Sequence, residues 1–519
     1  MTPSKKKSAH AALTGSIAVL TFSLAVGGCA TFTPEPLQSA EIKAATEADK
    51  ASLARDVEPL TGPLSLEEAI ARAIKYNSER RLRVMEEAVA QGSFEAGQFD
   101  MLPKLVASAG YRYRDKDLVT RSEDSVTGQP SLANPYISSS REATTTDLSF
   151  SWSLLDFGQS YYAARQNADR VLIAAERRRK AIHNLIQDVR TAYWRVVAAE
   201  KLGTTLRAAM READGALADA RKAETEKIRS PLEPLRYQRQ LLENLRLLEI
   251  IEDELSTARV ELAALTNLPF SQPFAVREPA EGINTAWLRV PVEDMEEFAL
   301  QSNPDLRESM YNARITQQET RRALLRLFPG LSFNYALRHS DDDYLVHNSW
   351  REASTQISFN LLGLLALPAQ MRLADAGVAL AEQKRMATQM AILAQLHTSR
   401  LQYFNAARQF ARADGIVQVD QRITEHVGNQ EKAGQQTRLE RVSQQTAAIL
   451  STLRRYQALS NAQAAASRLQ ATLGLEPAVE GSDRMPLPEL TAAVSRSLAT
   501  WEGGHLPAVP EAATPARQH

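Results

Sequence analysis

The sequence predicts a mainly α-helical fold that also carries membrane β-strands, with one unit of long helical hairpins and β-hairpins occurring twice. The first sign is a set of landmarks that recur in order. Asn77 to Pro103 and Asn303 to Pro329 both span 26 positions. Leu148-Ser-Phe150-Ser-Trp152 corresponds to Ile357-Ser-Phe359, and Ser230-Pro-Leu-Glu233 to Thr437-Arg-Leu-Glu440. Leu-Thr-Asn-Leu-Pro269 corresponds to Leu-Gly-Leu-Glu-Pro477. The second sign is the absence of proline between Pro135 and Pro231 and between Pro368 and Pro477. The third is a set of short segments whose apolar and polar residues alternate with period two.

The proline-free stretches are rich in good helix formers, as in Ala174-Ala-Glu-Arg-Arg-Arg-Lys180. Each predicts a helix of about 65–70 residues, roughly 100 Å long, a length typical of coiled coils rather than compact domains. Shorter helices are expected near 64–101 and 231–267, stacked in series against the long one. Ser230 is placed as a helix N-cap with Pro231 at the first helical position and Glu233 closing a capping box. Thr437 and Glu440 repeat the device. Both mark sharp turns at the end of the long hairpins.

The strands are expected at about 105–114, 146–155, 331–339 and 354–362. Leu148, Phe150, Trp152 and Leu154 face one way and Asp147, Ser149, Ser151 and Ser153 the other. Leu331, Phe333, Tyr335 and Leu337, then Ile357, Phe359 and Leu361, continue the apolar set. Strands of about ten residues with this alternation are the mark of barrels facing lipid on one side and water on the other. Polar loops at about 115–145 and 340–353 suit the extracellular side. Four strands cannot close a barrel, and open edges are forbidden in lipid, so copies must combine. Two, three or more copies all satisfy that rule.

The repeats run from 64 to 270 and from 292 to 478, joined by a linker at 271–291. Residues 29–63 read as a tether, and 479–519 as a Pro/Ala-rich tail without structure. Lys5, Lys6 and Lys7 precede the apolar run Ala11 to Val26, which makes residues 1–28 a secretory signal. The run ends in Leu24-Ala-Val-Gly-Gly-Cys29, which resembles a bacterial lipobox. That resemblance implies a lipid on the Cys29 sulfur and, with Ala30 following, an outer-membrane destination.

The composition narrows the function. Lys and Arg number 61 against 62 Asp and Glu, which removes the positive field a general nucleic-acid binder needs. One cysteine excludes an intramolecular disulfide and a cysteine zinc cluster. The eight histidines show no metal-binding spacing, and His183, His397 and His426 read as solvated or interfacial. No phosphate-binding or nucleophile motif occurs. An enzyme, a metal site and a cofactor are therefore not expected.

The order of helix, strand pair, long helix and short helix, duplicated across about 64–478, resembles the TolC-like outer-membrane efflux proteins. The proline after the first helix, the strand Leu148-Ser-Phe-Ser-Trp-Ser-Leu-Leu-Asp-Phe-Gly158 and the two capped turns carry that resemblance. It implies a homotrimer with a 12-stranded barrel on an α-helical tunnel, lipid-anchored in the outer membrane. It also implies a periplasmic adaptor and an inner-membrane pump docking at the tunnel tip, for efflux or type I secretion. By the same resemblance Glu233 and Glu440 lie at the periplasmic tunnel mouth. Ser443 stands where the family often has an aspartate, which weakens the acidic ring. A lipid-anchored periplasmic coiled-coil scaffold or adaptor, with soluble hairpins, is the alternative reading.

Overall fold

The computed structural model describes residues 35–130, 135–225, 232–270, 272–278, 282–477 and 481–507. Its elements, in chain order, begin with α1 (Ser39–Ala54), α2 (Leu66–Tyr76), α3 (Ser78–Phe99) and β1 (Lys104–Tyr113). A small ribbon of β2 (Val119–Thr120) and β3 (Tyr136–Ile137) precedes β4 (Glu142–Ser153) and α4 (Leu154–Thr225). Next come α5 (Leu232–Ser256), α6 (Ala258–Thr266), α7 (Val292–Ser302) and α8 (Pro304–Leu325). The second hairpin, β5 (Gly330–Ser340) and β6 (Ser349–Ser358), leads to α9 (Leu367–Lys432), α10 (Arg438–Leu473) and α11 (Leu487–Glu502).

The chain forms two units, residues 1–58 and 59–519. In the first, α1 gives the segment read as a tether at 29–63 a helical stretch. Between Pro36 and Pro59 the run is rich in Ala, Glu and Lys, and a capping box at Gln38 and Glu41 starts the helix. It buries no residue.

In the second unit, α4 has 72 residues and α9 has 66. Helix α4 packs against α3 and α5, and α9 against α8 and α10, as series-stacked short helices require. The short helices are broken where one continuous helix was expected. Asn77 ends α2 and caps α3, its Oδ1 accepting from the N–H groups of Glu79 and Arg80. Asn303 does the same between α7 and α8, accepting from Asp305 and Leu306. Each asparagine also donates from Nδ2 to the end of a distant helix, Asn77 to the Leu265 carbonyl and Asn303 to the Thr472 carbonyl at 2.9 Å. One side chain thus satisfies orphaned groups on two helices.

The linker docks rather than hangs. Leu64 pairs with Val276 in a parallel bridge, and the Tyr193 hydroxyl of α4 donates to the carbonyls of Leu64 and Arg277. Helix α11 corrects the expectation of a structureless tail. Leu487, Leu490, Val494, Leu498 and Trp501 form one buried stripe, and α11 packs on α2. The Pro/Ala-rich composition of the tail masks this helical periodicity. Residues 478–480 and 508–519 lie outside the described residues.

At the repeat junction, Gly474 ends α10 with φ +77°, and a Cβ there would lie 2.3 Å from the Ser302 carbonyl oxygen. Arg179 of α4 donates to the Gly474 carbonyl at 3.1 Å and pairs with Glu176 and Glu476. Beside it His183 is buried, which corrects its reading as solvated or interfacial. Burial and the Arg179 charge push its pKa down to about 4, opposed by a hydrogen bond to the Leu475 backbone.

Two outcomes follow for stability. Gly474→Ala meets both a left-handed backbone and a backbone clash, so chemical denaturation should show a loss of about 2–4 kcal/mol. His183 binds a proton more readily unfolded than folded, so its contribution favours folding above its ordinary pKa and is lost as the pH falls toward about 4. His183→Gln should therefore flatten the stability profile between those limits, by up to about 3 kcal/mol. Identical profiles for the two proteins would refute the assignment.

Candidate conduit elements

The hairpins of the two repeats join in one antiparallel sheet of order β1-β4-β5-β6. The register aligns the apolar sets. Leu148 stands opposite Leu337, Phe150 opposite Tyr335 and Trp152 opposite Phe333. On the outer strands Leu105 lies opposite Phe150, and Ile357 opposite Leu331. Because directly opposed residues share a face, these side chains form one continuous apolar surface. Trp152 and Phe333 stack at 6.3 Å between ring centroids. Leu148, Phe150, Phe333, Tyr335, Leu337 and Ile357 are all exposed on the single chain.

The opposite face is mainly polar, with Val106 and Trp350 among its residues, while Arg351, opposite Leu337, stands on the apolar face. On the mainly polar face Arg338 pairs with Glu352 at 3.2 Å and approaches Asp147 at 3.9 Å. Three of the expected strand positions fall elsewhere. Leu154 is the first residue of α4, and Phe359 and Leu361 lie beyond the end of β6. Asn360 turns the chain there, its Oδ1 accepting the Gly363 N–H at 3.0 Å ahead of a 3-10 turn at Leu362–Ala366. At the other end β6 begins at Ser349, earlier than expected, since ladder hydrogen bonds do not depend on apolar side chains.

The outer edges of β1 and β6 have no strand partner among the described residues. The helices continue the strand order. Helix α3 leads into β1, β4 into α4, α8 into β5 and β6 into α9, and α3, α4, α8 and α9 pack in that sequence.

At the far end of the long hairpins, Gly434 at φ +73° reverses the chain after α9. Thr437 caps α10, its hydroxyl accepting from the Glu440 N–H at 3.2 Å. The Glu440 carboxylate does not return the bond to the cap backbone, and instead accepts from Gln444 at 3.0 Å. Only half of the expected capping box forms here. Glu233 lies in α5, with its side chain outside the described set, and Ser230 and Cys29 lie outside the described residues altogether. Ser443 accepts from the buried Asn244 of α5 at 3.2 Å.

Two arginines that sequence reasoning passed over hold this end together. Arg441 of α10 pairs with Glu212 of α4 and, at 2.9 Å, with Glu431 of α9. Arg438 pairs with Asp219 of α4 at 2.8 Å. Beneath them Leu217, Leu241, Leu245 and Val442 form an apolar cluster. Nothing local marks these arginines, because their partners lie on other helices.

The family model for outer membrane efflux proteins matches residues 79–268. No individually curated protein sequence matches the chain. Among solved structures, the Campylobacter jejuni CmeC outer membrane channel is 14% identical, with a TM-score of 0.60 over 83% of this chain and 89% of that one. The open state of the Neisseria gonorrhoeae MtrE outer membrane channel is also 14% identical, at 0.59 over 81% and 94%. The outer membrane protein VceC of Vibrio cholerae is 15% identical, at 0.58 over 79% and 96%. The efflux-protein sequence signature therefore lies in the first repeat, and the fold of these solved channels extends over most of the chain.

Proposed function

We propose that three copies of this chain form a passive exit duct of a tripartite efflux or type I secretion system. The sheet carries the argument: one exposed and largely apolar face, one largely polar face and, among the described residues, two edges without a strand partner. Joining the β6 edge of one copy to the β1 edge of the next satisfies both edges, and three copies supply twelve strands. The same operation brings α9 of one copy beside α3 of the next. Helix α3 exposes Leu82, Met85 and Val89, and α9 exposes Leu373 and Leu380, an apolar seam suited to that contact.

The barrel sits in the outer membrane, with Cys29 as a lipid anchor left when residues 1–28 are removed. The helical hairpins project into the periplasm, and their turn end receives a periplasmic adaptor and an inner-membrane pump. The duct performs no chemistry of its own, so the pump supplies the energy. Glu440, half-buried at the turn end, contributes one carboxylate per copy to the mouth.

Detergent-extracted protein should migrate as a trimer and open channels in planar bilayers. A monomer without conductance would point to a periplasmic scaffold instead. Phe150→Arg and Tyr335→Arg each place a charge on the lipid face at mid-sheet. Each should cost about 2–4 kcal/mol of barrel stability, read as trimer lost from the outer-membrane fraction. Wild-type levels of both variants would argue against lipid contact. Glu440→Gln should reduce cation preference in bi-ionic reversal potentials, and an unchanged potential would remove Glu440 from the mouth.

A further inference from the structure

About halfway along α4 the second unit holds a partly open cavity of about 540 Å³, lined by no residue of the sheet or of the 433–437 turn. Arg190 and Trp194 of α4, Trp287 of the 3-10 turn at Ala286–Arg289 and Tyr403 of α9 line it, together with Glu67 and Glu502. The volume suits a small organic molecule.

Arg190 is 6% exposed. Its Nη1 donates to the Ser467 hydroxyl at 2.6 Å, while its Nε has no acceptor and no described carboxylate forms an ion pair with it. The indole N–H groups of Trp194 and Trp287 lack acceptors too. Burial lowers the Arg190 pKa to about 10, with Glu502 and Tyr403 acting against that shift, so the group stays cationic at neutral pH. A buried guanidinium without an oxyanion is costly, and native proteins rarely leave one so.

The second repeat places an arginine at the same position with a backbone partner, its own Nε likewise lacking an acceptor. Arg400 and Tyr403 stand in α9 as Arg190 and Tyr193 stand in α4, three residues apart in both cases. Both tyrosines donate to backbone carbonyls, Tyr193 to Leu64 and Arg277 and Tyr403 to Asn284. Arg400 donates to the Leu288 carbonyl at 3.0 Å. Arg190 reaches only a serine hydroxyl and lines the cavity instead.

We propose that this cavity is a binding site for a planar aromatic monocarboxylate, its carboxylate on Arg190 and its ring among Trp194, Trp287 and Tyr403. The fork of a guanidinium matches a carboxylate in two parallel hydrogen bonds. Glu67 and Glu502 oppose a second negative charge, so the site selects a monoanion over phosphate. An occupant touches both repeats and α11 at once. The site does not depend on the chain's forming a conduit.

The test is calorimetric titration of the detergent-solubilised full-length protein with indole-3-carboxylate, indole-3-carboxamide and inorganic phosphate. The carboxylate should saturate one site per chain, with the carboxamide and phosphate at least about tenfold weaker. Arg190→Gln should weaken the carboxylate by about tenfold or more, and Glu502→Gln should tighten it. No saturable heat up to about 10 mM carboxylate overturns the proposal, as does affinity unchanged in Arg190→Gln. A non-saturating heat equal in all variants is partition into micelles and counts against it as well. Should Arg190→Gln fail to assemble, the wild-type protein still decides, because equal binding of acid and amide refutes a carboxylate site.

Discussion

A backbone N–H or carbonyl left unpaired away from water costs several kcal/mol, and the open edge of a sheet presents a row of them. The four strands of this chain's main sheet pair with one another and leave the edges of β1 and β6 without a strand partner among the described residues. A sheet with one apolar face and two open edges is incomplete as a membrane element. The helices inherit the same order, since each of α3, α4, α8 and α9 is covalently continuous with one strand. A rule imposed on backbone groups in the sheet is therefore transmitted into the helical layer, where no such rule applies.

Duplication makes this arrangement economical in devices. The same asparagine cap, at Asn77 and Asn303, breaks the short helix in each repeat and reaches back to the terminus of a distant one. The repeats are nevertheless not copies of each other at their junction. Gly474, Arg179 and His183 crowd there, and the close approach to Ser302 demands a glycine. The burial of His183 beside Arg179 makes this joint sensitive to mild acid.

The turn end illustrates a different balance. Exposed ion pairs are individually weak, about 0–1 kcal/mol. Arg441 instead bridges two carboxylates on two helices above an apolar cluster, so it fixes the relative position of α4, α9 and α10. The Glu440 carboxylate is held by Gln444, one turn along its own helix, and pairs with no other helix among the described residues.

The sequence by itself determined what depends on neighbours a few residues away. Strand faces are legible in Leu148, Phe150 and Trp152, a helix start in Thr437, and the duplication in the spacing of such marks. It erred where local signals were ambiguous, as in extending the last strand to Phe359 and Leu361 or treating the 487–502 stretch as tail. Only the tertiary structure decided which elements meet. It set β4 against β5, docked α11 on α2, joined Arg441 to Glu212 and left Arg190 facing a cavity. The physical reason is range. Periodicity and capping act within one or two turns of chain, whereas a partner such as Glu212, more than two hundred residues from Arg441, is chosen by the packing of the whole unit.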